Sequence, residues 1–116
     1  MNHPNMPADK IPYWDFDAPN IPNAPRDASA AAIMASALIE LSQLDKSDEA
    51  KGYLDFAEQQ VRSLSLPEYL AEKGTNCNFV LKHSTGHLPG NSEVDVPLSY
   101  ADYYYVEALM RLKKLI

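Results

Sequence analysis

Apolar and polar positions alternate along the chain so as to divide it into two long loops and three helices. From Asp27 onward, ASAAAIMASALIELSQL is nearly all strong helix formers or small residues, which predicts a helix near 27–43. Asp27 is suited to cap it, because a carboxylate there accepts from the first free amides. Ile33, Leu38, Ile39 and Leu41 would form one apolar stripe, with Ala28, Ala30, Ala31, Ala32, Ala35 and Ala37 over the rest. A helix this small all round is expected to pack on several sides. A second helix is predicted near 47–64, capped by Ser47. Ala50, Tyr53, Leu54, Ala57, Val61 and Leu64 follow the 3,4 spacing of an amphipathic helix, with Asp55, Glu58, Gln59 and Arg62 on the other face. The short link Leu44-Asp45-Lys46 makes these two helices antiparallel neighbours. A third helix is predicted near 99–114. Ser99-Tyr100-Ala101-Asp102 has the form of a capping box, and Tyr100, Tyr103, Tyr104, Leu109 and Leu112 would be its buried stripe.

The loops are not simple linkers. Prolines at 4, 7, 12, 19, 22 and 25 exclude helix and central strand over residues 1–26. Ile11, Tyr13, Trp14, Phe16 and Ile21 bring too much apolar surface to leave in water, and burying Trp14 alone is worth roughly 2–3 kcal/mol. Long loops packed by their own aromatics are often functional. Residues 65–98 hold a short β-like run, Asn78 to Leu81, and then HSTGHLPGNSEVDVP, which reads as a second ordered loop.

Composition narrows the function classes. At 116 residues with net charge −6 and pI near 4.9, the chain lacks the clustered Lys and Arg of a nucleic-acid surface. Arg111, Lys113 and Lys114 stand where a helix C-terminus favours cations. No apolar run approaches the ~20 residues of a membrane span. The single cysteine, Cys77, excludes an internal disulfide and a Cys-rich zinc site, and without a close basic neighbour it reads as inert. Neither a Ser-His-Asp or Cys-His set nor a Gly-rich phosphate loop is present. The Ala-rich helix offers little apolar volume of its own, and several large side chains lack obvious partners. Part of a larger domain is therefore expected. The rival reading is a stand-alone helical module that binds carbohydrate or protein without catalysis.

HPNMPADKIPYWDFDAPNIPNAPRDASAAAIMASALIELS and GTNCNFVLKHSTGHLPGNSEVDVPLSYADYYYVEALMRLKK together resemble glycoside hydrolase family 88, the unsaturated glucuronyl hydrolases. The PYWDFDAP loop, the PRDASAAA helix start and the SYADYYYVEAL helix are specific in combination, whereas residues 45–73 add little. The resemblance implies an all-α chain forming the C-terminal part of an (α/α)6 toroid, with residues 1–116 as one part of a single catalytic domain. It implies an enzyme that removes a 4,5-unsaturated uronic acid from the non-reducing end of lyase-generated oligosaccharides. In that chemistry an aspartic acid hydrates the double bond, and no metal or organic cofactor is used. The family's catalytic aspartates lie in the preceding part of the fold, so no catalytic residue is expected here and the chain alone should be inactive. Its partners would be the unsaturated oligosaccharide and the remainder of its own domain. The compartment stays open between cytoplasm and periplasm. Unsaturated rhamnogalacturonyl hydrolases share the toroid, but HSTGHLPGNSEVDVPLSYADYY favours family 88. Some members carry Ser-x-x-Ser-x-Lys in this last loop and accept sulfated glycosaminoglycan fragments. Ser84-Thr85-Gly86-His87-Leu88-Pro89 lacks the lysine, which puts sulfate preference in doubt.

Six residues are candidates for the pocket rim. His83, Ser84, Thr85 and His87 form a hydrogen-bonding loop that suits a polar sugar. The spacing of His83 and His87 would suit zinc on a helix, but Gly86 and Pro89 oppose a helix there. Trp14 either stacks on a sugar ring or fills the loop core. Arg26 either grips a uronate carboxylate or holds the loop by a salt bridge. Asp15 and Asp17 could share one side of an extended segment for acid/base work, or accept loop amides; Glu93 and Asp95 would be loop struts.

Overall fold

A computed structural model describes residues 3–72, 75–76, 79–85 and 96–115. It has three helices: α1 at Ala28–Leu44, α2 at Ala50–Leu64 and α3 at Ser99–Leu115. Among the described residues the only β pairing is three isolated antiparallel bridges, Tyr13 with Arg26, Leu70 with Leu81, and Ser84 with Val96. Among its described residues, 79–81, the β-like run forms a bridge at Leu81 alone. Beside that bridge, Ala71 N donates to Val80 O at 2.8 Å and Lys82 N to Tyr69 O at 2.7 Å.

The helices lie in a row rather than a bundle. α1 packs along both α2 and α3, which scarcely touch each other. The molecule measures 42 × 35 × 22 Å, so its thin dimension is about two helix diameters. Small residues make this possible. Ala28, Ala31, Ala32 and Ala35 recur at i, i+3, i+4 and i+7 and are fully buried, as is Ile39 four residues on. This corrects the expected stripe: Ile33 and Leu41 are about 40% exposed. A helix flanked on two sides needs its closest approaches, and only alanines allow them.

The expected faces of α3 are corrected too. Ala101, Tyr105 and Ala108 are the buried residues, whereas Tyr100, Tyr103 and Leu109 are exposed. Tyr103, Val106 and Met110 form an uncovered apolar strip on one side of the row. On the inner side Ser36 Oγ donates to Glu107, and Arg111 reaches Ser36 O at 2.8 Å and Glu40 at 3.0 Å, which ties α1 to α3.

Two of the three expected caps change. Asp27 caps α1 as expected, accepting from Ser29 N at 3.0 Å. α2 begins at Ala50 rather than Ser47, because Asp45 accepts from Ser47 N and Ser47 Oγ from Glu49 N, closing two successive turns before the helix. α3 has no capping box. Leu98 O receives the amides of Ala101 and Asp102, and the Asp102 carboxylate reaches out of the helix instead.

The proline-rich segment docks on α1 and α2 through Ile11, which is fully buried. α2 holds it: Gln60 Nε2 donates to Lys10 O at 3.1 Å and Ser63 Oγ to Asp9 O at 2.7 Å. Residues 13–26 then form a closed loop. Its ends are joined by Trp14 N to Pro25 O and Asp27 N to Pro12 O, and it is filled by Tyr13, Ala18 and Ala24 with Trp14 and Ile21 against them.

Candidate functional site

The two loops meet beside the N-terminus of α1. Ala28 N donates to His83 O at 3.0 Å. Asp27 Oδ1 accepts from Thr85 N at 3.1 Å, and Thr85 Oγ1 donates to Arg26 O at 3.0 Å. One capping carboxylate therefore joins the helix, the first loop and the second. Beside this junction opens a cleft of about 310 Å³ lined by Asn23, Ala24, Pro25, Arg26, Glu68, Tyr69 and His83.

Arg26 and His83 are the two candidates that share this cleft. The guanidinium of Arg26 is oriented by its own loop: NH1 donates to Asp9 at 3.0 Å and to Ile11 O at 2.8 Å. It also stacks over the Tyr13 ring, 4.8 Å from its centre. Burial works against its charge, but Tyr69, Asp9 and Tyr13 outweigh burial and hold its pKa above the ordinary arginine value. The loop-holding salt bridge is thus present, with the side chain still partly exposed at the cleft. His83 has φ 64°, in the left-handed region that non-glycine residues adopt uncommonly, and its ring meets Tyr69 edge-on at 5.8 Å. Such backbone persists where its surroundings fix it, here through the amide of Ala28 and the neighbouring bridges.

The other candidates lie apart from the open cleft. Ser84 is fully buried, and Thr85 is 6% exposed beneath the Arg26 backbone. Trp14 is half-buried in the first loop's own core. Asp15 accepts the amide of Asp17 at 2.8 Å, the loop-shaping role. His87, Cys77, Asn78, Glu93 and Asp95 lie outside the described residues.

Tyr69 and Glu68 were not expected at the cleft. Tyr69 follows the Pro67 turn and looked like generic loop, yet it is 2% exposed and reaches Arg26 and His83. Burial, opposed in part by Arg26, pushes its hydroxyl up to about 12. At neutral pH it is therefore a phenol and not a base. The described lining offers a cation, an imidazole, the Glu68 carboxylate and polar oxygens. On its Arg26 side this suits holding a polar, anionic group, and the described lining residues include no paired nucleophile and base.

An all-α layer that carries ordered loops around a polar cleft is the class this fold and site define. In sequence and in fold, the chain resembles one part of the unsaturated glucuronyl hydrolases, about 30% of their length. No family model matches it. It is 51% identical, over all 116 residues, to the unsaturated glucuronyl hydrolase of Formosa agariphila, and spans 28% of that protein's length. A crystal structure of an unsaturated glucuronyl hydrolase specific for heparin matches 99% of the chain at 57% identity with a TM-score of 0.95, over 30% of its own length. A variant of the Streptococcus agalactiae enzyme, complexed with dGlcA-GalNAc6S, matches 97% of the chain at 29% identity with a TM-score of 0.84, again over 30% of its length. The all-α reading and the resemblance to this family are thereby shown.

Proposed function

We propose that residues 1–116 are one part of a single α/α-toroid catalytic domain, and that the whole protein removes 4,5-unsaturated uronic acid from the non-reducing end of lyase-generated oligosaccharides. The observation that carries this is the 57% identity and 0.95 TM-score to a family enzyme over 99% of the chain. The uncovered apolar strips are in keeping with it. Tyr103, Val106 and Met110 on α3, and Ile33, Leu41 and Leu44 on α1, are positions where further helices of the same domain would seat.

In this reading the described residues bind and orient, and the hydrating acid belongs to the rest of the domain. Arg26 and His83 face the substrate at the pocket rim. Ser84 and Thr85 support them from below and Trp14 stiffens the rim; His87, outside the described residues, is kept as a substrate contact on the resemblance alone. Arg26 supplies positive potential toward the uronate carboxylate, and Tyr69 remains a neutral hydrogen-bonding phenol at neutral pH. The 57% relative specific for heparin makes heparin-lyase disaccharides the first substrates to try. Incubating the whole protein with them should bleach the absorbance of the conjugated double bond and release the adjoining sugar. Unchanged absorbance with heparin-, chondroitin- and unsulfated glucuronyl-derived disaccharides would refute the assignment.

A further inference from the structure

The segment that delivers His83 to the cleft has little secondary structure to hold it. Residues 79–85 pair through one bridge at Leu81 and one at Ser84. Beside the backbone bonds of these bridges, two carboxylates hold the segment's amides, one from α3 and one from the cap of α1. At one end, Asp102 of α3 accepts from Val80 N and from Leu81 N, both at 2.9 Å, one amide per carboxylate oxygen. At the other end, Asp27 accepts from Thr85 N at 3.1 Å. His83 lies between the two grips with its φ at 64°. The grip by Asp102 is selective in its chemistry. Two amides converge on one side chain, so both of its oxygens must be acceptors. An asparagine has one acceptor, and its NH2 would face an N–H.

We propose that Asp102 is a positioning residue for substrate binding: it touches no substrate, and it sets the backbone of 79–82 so that His83 stands on the cleft beside Arg26 and Tyr69. This rests on the cleft being the substrate rim, as proposed above. The position is otherwise unaccounted for. A first-turn acid on a helix ordinarily serves its own helix, whereas this one serves a segment more than twenty residues earlier.

The test is steady-state kinetics of the whole protein on the unsaturated disaccharide that it turns over best, with Asp102→Asn and Tyr105→Phe compared. Tyr105 shares α3 and on replacement by phenylalanine loses only its 2.7 Å hydrogen bond to Ser65 Oγ, and neither residue lines the cleft or belongs to residues 79–85. Asp102→Asn should raise KM about tenfold and leave kcat within about threefold, because binding geometry is lost and the hydrating group is untouched. Tyr105→Phe should lower Tm and leave KM unchanged. Equal KM for Asp102→Asn and wild type would overturn the proposal, as would an equal rise in KM for both variants. An inactive wild type would refute the functional reading itself, and the proposal with it. Should Asp102→Asn not fold, amide exchange in the wild type decides. The Val80 and Leu81 amides should exchange more slowly in the presence of the saturated uronyl disaccharide, at a concentration that inhibits turnover. Unchanged exchange would overturn the proposal.

Discussion

Replacing Asp27 by alanine probes the junction on which both loops depend. The Asp27 side chain caps α1 through Ser29 N and also receives Thr85 N from the second loop. Losing an N-cap costs about 1 kcal/mol. Losing a hydrogen bond to a charged acceptor in a site this enclosed costs about 1.5–3 kcal/mol more. The junction should therefore weaken by about 2.5–4 kcal/mol, which at 1.4 kcal/mol per tenfold is an increase in local opening of about 60-fold to about 700-fold. Hydrogen exchange of the Ser29 and Thr85 amides in the whole protein reads this opening directly. Both amides should accelerate together, although they are 56 positions apart, since one carboxylate joins them. Asp27→Asn keeps one acceptor oxygen and an equally good cap, so its acceleration should be intermediate. If Asp27→Ala speeds Ser29 alone, the link to the second loop is not energetically real. If it leaves both amides within about threefold of wild type, the whole argument for the junction fails.

Two further outcomes test the packing and the cleft. Ala35→Leu should destabilise the protein by about 1–3 kcal/mol in denaturant unfolding, because Ala35 is fully buried on the face where α1 meets its neighbours; no loss would mean that the helices are not closely seated there. Tyr69 contributes a stability term with a defined pH window. Its folded pKa of about 12 lies above the ordinary 10, so the contribution is complete below pH 10 and is lost as pH rises toward 12. Tyr69→Phe should remove that part of the alkaline loss, and ultraviolet difference titration should lack one late-titrating tyrosine; an unchanged titration would place the phenol in solvent.

The helices were legible in the sequence because their signals are local. Proline-free runs of helix formers and the Asp27 cap depend on neighbours within a turn or two. Which face of each helix is buried was not legible, because it depends on what lies beside it. α1 buries alanines and exposes Ile33, since close approach on two sides matters more than side-chain bulk in a flat row. Gln60, a polar residue that no periodicity marks as buried, is fully buried and holds the Lys10 carbonyl. Asp102 had the spacing of a capping box, but two amides from the second loop make better use of its two oxygens. At the cleft, Arg26 and His83 were readable from residue chemistry. Tyr69 was not, since a tyrosine after a proline turn carries no sign of what it will face. Ser84 and Thr85 were readable as polar loop residues, but the backbone pairing that buries them is non-local.

That these 116 residues bind and orient substrate while the chemistry resides elsewhere in one toroid domain can be checked by a paired rate measurement. The whole protein and the 116-residue chain alone are each given the same heparin-lyase disaccharide, and loss of the double-bond absorbance is followed. The whole protein should consume it with release of the neighbouring sugar, and the chain alone should leave it intact. Turnover by the isolated chain, or none by the whole protein on any unsaturated uronyl disaccharide, would contradict the proposal.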